Sequence, residues 1–197
     1  MSDLISQLVE WDKELLLFFN SFHSPILDQI MWIISGKLEW IPFYLVLAIL
    51  IFRISRRHFP WIIIFIGITI VLTDQLAVVL FKEVFERLRP CHDPTISELV
   101  HIVRNKCGGQ YGFISNHAAN SFGLITIVAL YMRQKYRFAA LGLFLWAALV
   151  SYSRVYLGVH FPADIVGGGL FGILVGLLTF SAYRFFCSRF IQKRSTV

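Results

Sequence analysis

Apolar residues in this chain gather into long stretches, and polar residues are largely confined to the gaps between them. Four stretches are clear by length, roughly residues 60–81, 117–132, 138–152 and 162–186, and all read as helices in a setting where one bilayer crossing consumes about 20 residues. Residues 26–52 are less regular. Ser35, Gly36, Lys37 and Glu39 interrupt them and Pro42 follows, so the segment reads as one crossing broken near Gly36. The run 40–52 is too short to span alone, which requires the part before the break to supply depth while packed on other helices. The pattern predicts an all-α fold, a polytopic transmembrane helix bundle of about five crossings, as one domain over residues 1–197.

The first residues follow another rhythm. Leu4, Ile5, Leu8, Trp11, Leu15, Phe18 and Phe19 recur at helical spacing opposite Asp3, Glu10, Asp12 and Glu14, which predicts an amphipathic interfacial helix. A soluble cap on the bundle fits the same pattern. The segment is acidic where a secretory leader is basic and has no small-residue cleavage site, so it is expected to stay on the mature protein.

Composition agrees with a bilayer setting: 57% of the 197 residues are hydrophobic and 15% charged, outside the balance of soluble domains. The 18 basic residues against 12 acidic ones invite a nucleic-acid reading, but they form no single basic patch. They collect at the ends of apolar stretches. Arg53, Arg56 and Arg57, then Arg133, Lys135 and Arg137, then Arg184, Arg189, Lys193 and Arg194 mark one face as cytoplasmic, together with the C-terminus. The acidic N-terminus, the loop 87–116 and the connection 153–161 then face the other side. No tandem repeat is evident.

Three polar clusters abut apolar helices on that second side, where such groups are costly and usually functional. Lys82 and Arg89 are seven residues apart, two helical turns, so both are expected on one face of a helix that Pro90 stops. Taken alone, they fit snorkelling interfacial cations better than a functional pair. Ser115, Asn116 and His117 directly precede an apolar run, with Ser115 an N-cap candidate whose helix start offers free N–H groups and a positive dipole end to an anion. Arg154 ends one apolar stretch, Pro162 suits the first turn of the next, and His160 therefore sits at a helix start with Asp164 four residues on. A carboxylate there can fix the imidazole's tautomer and stabilise its cationic form.

With these residues in hand, the sequence resembles the type 2 phosphatidic acid phosphatases (PAP2). The family pattern is Lys, six residues, then Arg-Pro; Pro-Ser-Gly-His; and Ser-Arg, five residues, His, three residues, Asp. Lys82, Arg89 and Pro90 match the first part, and Ser153, Arg154, His160 and Asp164 match the third. The second reads Ile114, Ser115, Asn116, His117, keeping the serine and histidine. The resemblance implies His160 as nucleophile forming a phosphohistidine, Asp164 as its orienting partner and His117 as general acid. Lys82, Arg89, Ser115 and Arg154 would hold the phosphate oxygens. Asparagine tolerates a left-handed turn better than most residues, so Asn116 is expected to keep the glycine's backbone geometry, with its amide free to add a phosphate contact. No cofactor or metal is implied.

The expected activity is hydrolysis of a phosphomonoester or diphosphate of an envelope lipid, such as undecaprenyl diphosphate, a lipid A phosphate or a phosphatidate-type lipid. The setting implied is a bacterial inner membrane, with the site facing the periplasm or cell exterior. A phosphotransferase using the same phosphohistidine is the enzymatic alternative. A nonenzymatic transporter would not require the His160 and Asp164 spacing. Two further features bear on the site. Asp74, eight residues before Lys82, supports it from below or serves an inward polar pairing. Cys91 and Cys107 share the long outer loop and are expected to form a disulfide, with Cys187 reduced. With His92 and His101 they also suggest zinc, but the spacings match no common zinc pattern.

Overall fold

A computed structural model of the chain describes residues 2–191; Lys193 and Arg194, part of the basic count above, lie outside the described residues. The described residues are helical with short irregular connections, and their one β contact is an isolated bridge between Leu88 and Tyr111. Helix α1 covers Ser2–Asn20, α2 Pro25–Ser35, α3 Ile41–Ile54 and α4 Phe59–Ala77. A π-helical turn, Val78–Lys82, and the short α5, Glu83–Phe85, prolong α4. After a long loop come α6 (Asn116–Met132), α7 (Ala139–Tyr156) and α8 (Pro162–Phe186), which a π-helical turn extends to Ile191. Three of these helical units are long and apolar enough to cross a membrane: Phe59–Phe85, Ala139–Tyr156 and Pro162–Ile191.

The segment expected as one broken crossing is two separate helices. Gly36 closes α2 in an extended conformation, its N–H donating to the Ile33 carbonyl, and Pro42 opens α3, where its missing N–H has no partner to lose. The Trp40 indole N–H donates 2.8 Å to the Ile34 carbonyl and pins the corner. Residues 2–20 form the helix α1, on which Leu4, Ile5, Leu8, Trp11, Leu15 and Phe18 are exposed, as are the acidic Asp3, Glu10 and Glu14. Its inner face is a correction to the sequence reading, because Asp12 is buried there with Leu16 and Asn20.

Helix α6 is central and packs on α8, α7 and α4. Its fit against α8 depends on small residues at four-residue spacing, Gly168, Gly172 and Gly176, the pattern by which membrane helices approach closely. A Cβ on Gly172 would lie 2.9 Å from the Gly123 backbone nitrogen. The approach brings the two helix starts together, and the Ser115 N–H donates 3.0 Å to the Asp164 carbonyl. A buried hydroxyl pair, Thr69 with Thr179 at 2.8 Å, ties α4 to α8.

Candidate active site

The first turn of α6 is built as its sequence demands. Ser115 is the N-cap, with extended backbone and a side-chain oxygen that accepts from the Ala118 N–H. His117 lies in this first turn. Asn116 opens the helix, and only Glu86, Arg104 and Asn105 among non-glycine described residues have positive φ, so the left-handed role expected of Asn116 does not arise. Its Nδ2 donates to the Asp74 backbone carbonyl and to Asp74 Oδ1, at 3.1 and 2.9 Å. Asp74, which also accepts from Asn120 at 3.2 Å, thus fixes the start of α6 from below.

Helix α7 ends so as to present the second histidine. Gly158 takes φ 73°, and the Val159 and His160 N–H groups fold back to the Arg154 carbonyl at 3.1 and 3.3 Å. Pro162 then opens α8, leaving His160 buried between two helix ends. His160 Nδ1 lies 3.2 Å from Asp164 Oδ2, which also accepts from the Phe161 N–H at 3.0 Å. Burial and the charges of Arg89, Arg154 and Lys82 hold the His160 imidazole well below the ordinary histidine range. Its neutral form, the one with a nucleophilic lone pair, is therefore favoured.

Lys82 and Arg89 do meet at the site, but not on one helical face. The helix stops at Phe85, Glu86 turns left-handed at φ 46°, and the chain becomes extended. The cause is pairing with the returning loop: the Arg89 N–H donates to the Gln110 carbonyl and the Gly112 N–H to the Arg87 carbonyl. Pro90 begins a separate short 3₁₀ turn, Pro90–His92. Arg89 is fixed by donations from Nε to the Tyr111 carbonyl and from Nη1 to the Cys107 carbonyl, at 3.3 and 3.2 Å. Burial works against its charge, and the Asp164 carboxylate offsets part of that loss.

Cys91 and Cys107 are disulfide-bonded, with Cα atoms 6.1 Å apart, and Cys187 is free and buried. The bond closes the loop that carries Arg89's carbonyl acceptor. His92 lies close enough to both sulfurs to complete a three-ligand cluster, but sulfurs bonded to each other offer no thiolate to a metal. His101 is elsewhere, 3.0 Å from Asp28 and stacked on His23.

Lys82, Arg89, Asn116, His117, Arg154 and His160 line one cavity of about 720 Å³. Arg154 donates through Nη1 to Ser35 Oγ, while its buried Nε has no hydrogen-bond partner among the described residues. Ser115 is fully buried behind the helix start, and Asp164 lies behind His160. The cavity continues past Asp74 and Asn120 into an apolar reach lined by Tyr44, Leu47 and Ile51 of α3, Ile63, Ile66 and Ile70 of α4, and Val128 and Trp146. Lys37, at the corner between α2 and α3, also lines it.

Sequence reasoning missed Arg87 and Asp12. Arg87 Nη1 donates 3.0 Å to Asp164 Oδ1, and Nη2 donates 2.6 Å to Asp12 Oδ2. No local spacing signals either contact, since the partners are 77 and 75 residues apart.

A ring of cations around a neutral imidazole that leans on a carboxylate, set where an apolar channel ends, defines a membrane protein equipped to handle a phosphorylated, partly apolar molecule. Residues 61–186 match the family model of the PAP2 superfamily. The chain belongs to that superfamily, and it is a phosphatase. It is 38% identical over 181 residues to a lipid A 4'-phosphatase of Bacteroides thetaiotaomicron, spanning 89% of this chain and 78% of that protein. A lipid A 4'-phosphatase of Porphyromonas gingivalis is 33% identical over 187 residues, or 93% of this chain and 78% of that one. The fold is shared with the crystal structure of a transmembrane PAP2-type phosphatidylglycerolphosphate phosphatase from Bacillus subtilis, with TM-score 0.68, 23% identity, and coverage of 93% and 89% of the two chains.

Proposed function

We propose that the protein hydrolyses a phosphomonoester of an envelope lipid of the lipid A class, at the extracytoplasmic face of a bacterial inner membrane, through a phosphohistidine on His160. The observation that carries the reading is the His160–Asp164 contact of 3.2 Å at the wall of a cavity whose near end is cationic and whose far end is apolar. Names of the two relatives above support the lipid class. The basic residues at the ends of α3, α6 and α8 support a cytoplasmic C-terminus.

In the forward step Nδ1–H of His160 faces Asp164, leaving the Nε2 lone pair to attack phosphorus. The bond from phosphorus to the lipid oxygen breaks, and that oxygen takes the proton of His117. Lys82, Arg89 and the unpartnered Arg154 Nε hold the equatorial oxygens as charge spreads over them. Asp164 stabilises the imidazole while it carries positive charge. In the second step His117 removes a proton from water, whose oxygen forms the new bond to phosphorus as the bond to Nε2 breaks. Inorganic phosphate leaves and neutral His160 returns.

Phosphate release from lipid A by the purified protein in mixed micelles tests this. His160→Ala should reduce turnover to background while its thermal unfolding stays close to that of the parent. Near-normal release by that variant would remove His160 as nucleophile, and no release by the parent from any lipid phosphate would remove the activity.

A further inference from the structure

We propose that Arg87 is a positioning residue for the reaction, holding the Asp164 carboxylate against His160, and that Asp12 of α1 holds Arg87 in turn. The inference rests on reading His160 as the nucleophile. Asp164 divides its two oxygens: Oδ2 receives the His160 ring at 3.2 Å and the Phe161 N–H at 3.0 Å, while Oδ1 receives Arg87 Nη1 at 3.0 Å. The guanidinium lies over the Phe161 ring, 4.1 Å from its centroid, and its other fork reaches Asp12 Oδ2 at 2.6 Å. Asp12 Oδ1 accepts from the Ala163 N–H at 2.9 Å, in the first turn of α8, where a carboxylate also meets the positive end of the helix. Asp12, Arg87, Asp164 and His160 therefore form one continuous chain of charge-assisted hydrogen bonds from α1 to the nucleophile.

Arg87 does not serve as another phosphate ligand. Lys82, Arg89 and Arg154 line the cavity, whereas Arg87 is not among its lining residues and approaches Asp164 through the oxygen that His160 does not use. Its effect on the reaction must pass through Asp164. A carboxylate enclosed at a helix start orients the imidazole only while it is charged and held still, and Arg87 contributes to both. The other cations near Asp164 are Arg89 and Lys82, and both face the substrate side. Without Arg87 the carboxyl relies on those two alone and loses the donor that holds its Oδ1, and with one cation fewer beside the pair His160 takes up its proton at higher pH.

The test compares the parent with Arg87→Ala, Arg87→Lys, Asp12→Asn, the double variant Asp12→Asn with Arg87→Ala, and His160→Ala. Each is assayed for phosphate release from lipid A in mixed micelles between about pH 5 and pH 9. Arg87→Ala should lower kcat about 10- to 100-fold near neutrality with KM within about twofold, the sign of a group acting only as charge develops. Its acid limb should move up by about one pH unit, so that part of the rate returns on the alkaline side. Lysine should restore part of kcat. Asp12→Asn should shift both readouts the same way by less, and the double variant should be no worse than Arg87→Ala, since residues in one network do not add. Should Arg87→Ala fail to fold, Arg87→Lys and Asp12→Asn carry the same readouts. An unmoved acid limb, or a kcat loss that lysine does not relieve, would reduce the chain of bonds to packing and overturn the proposal. Active His160→Ala would overturn the nucleophile reading itself, whereas inactive His160→Ala beside a parent-like Arg87→Ala would remove only the role of Arg87.

Discussion

At the scale of single residues, the problem the site solves is keeping one imidazole uncharged among three cations. Burial and Arg89, Arg154 and Lys82 all disfavour the protonated form of His160, so the proton is lost at a pH well below the usual value. If His160 is the nucleophile proposed above, it is competent above its lowered pKa and is lost only as the pH falls through it. The rate should therefore hold down to at least about pH 6, below the pKa of about 6.5 for a free histidine. The same shift ties stability to acid, because the unfolded chain takes up a proton near pH 6.5 that folded His160 resists, and folding weakens below that value. On the mechanism proposed above, the alkaline limb would belong to His117 as proton donor. A pH profile of phosphate release for the parent and for His117→Ala checks both limbs: the variant should lose about 100- to 10,000-fold in rate and its alkaline decline. An acid limb centred above about pH 7 in the parent would contradict this account.

At the scale of elements, the α6–α8 contact sets where the two histidines meet. A methyl group at Gly172 has only backbone to displace, so Gly172→Ala should cost about 1–3 kcal/mol by overpacking. Gly67, on α4, has nothing within 4 Å of a new Cβ, and Gly67→Ala should be neutral or stabilise by up to about 1 kcal/mol through helix propensity. Thermal unfolding of the two variants in one detergent compares them, and a Gly172→Ala protein that melts with Gly67→Ala would mean the helices are not in such close contact. This scale also shows what could be read from the chain beforehand. The starts of α6 and α8, the break at Gly36 and the His160–Asp164 pair are local: caps, prolines and an i to i+4 spacing declare them. The meeting of Lys82 with Arg89 was legible as a motif but not as geometry. Hydrogen bonds from residues 110–112, far along the sequence, draw 87–89 out of the helix. Asp12 was invisible for a related reason. On an amphipathic pattern it is one more polar position, and only the guanidinium 75 residues away makes it an inward one.

At the scale of the whole molecule, the cavity is a route as much as a site. Helix α3 packs on α6 and not closely on α4, and the apolar reach runs between α3 and α4 from Asp74 to Ile63, about 16 Å at 1.5 Å per residue. That is roughly half the hydrocarbon thickness of a bilayer. On the function proposed above, a lipid entering there would keep its chains among Ile66, Ile70 and Leu47, with its phosphate toward Lys82 and Arg89, which line the same cavity. Such an enzyme reads concentration in two dimensions. Diluting the lipid phosphate with an inert phospholipid at fixed bulk amount should slow phosphate release in proportion to its surface mole fraction, whereas diluting whole vesicles in buffer should leave the rate per enzyme unchanged. Reconstituted vesicles with a graded lipid phosphate content distinguish the two, and a rate that followed bulk concentration alone would mean that substrate arrives from water. Inside a cell, flux through this protein would then be set by how crowded its own leaflet is with phosphorylated lipid.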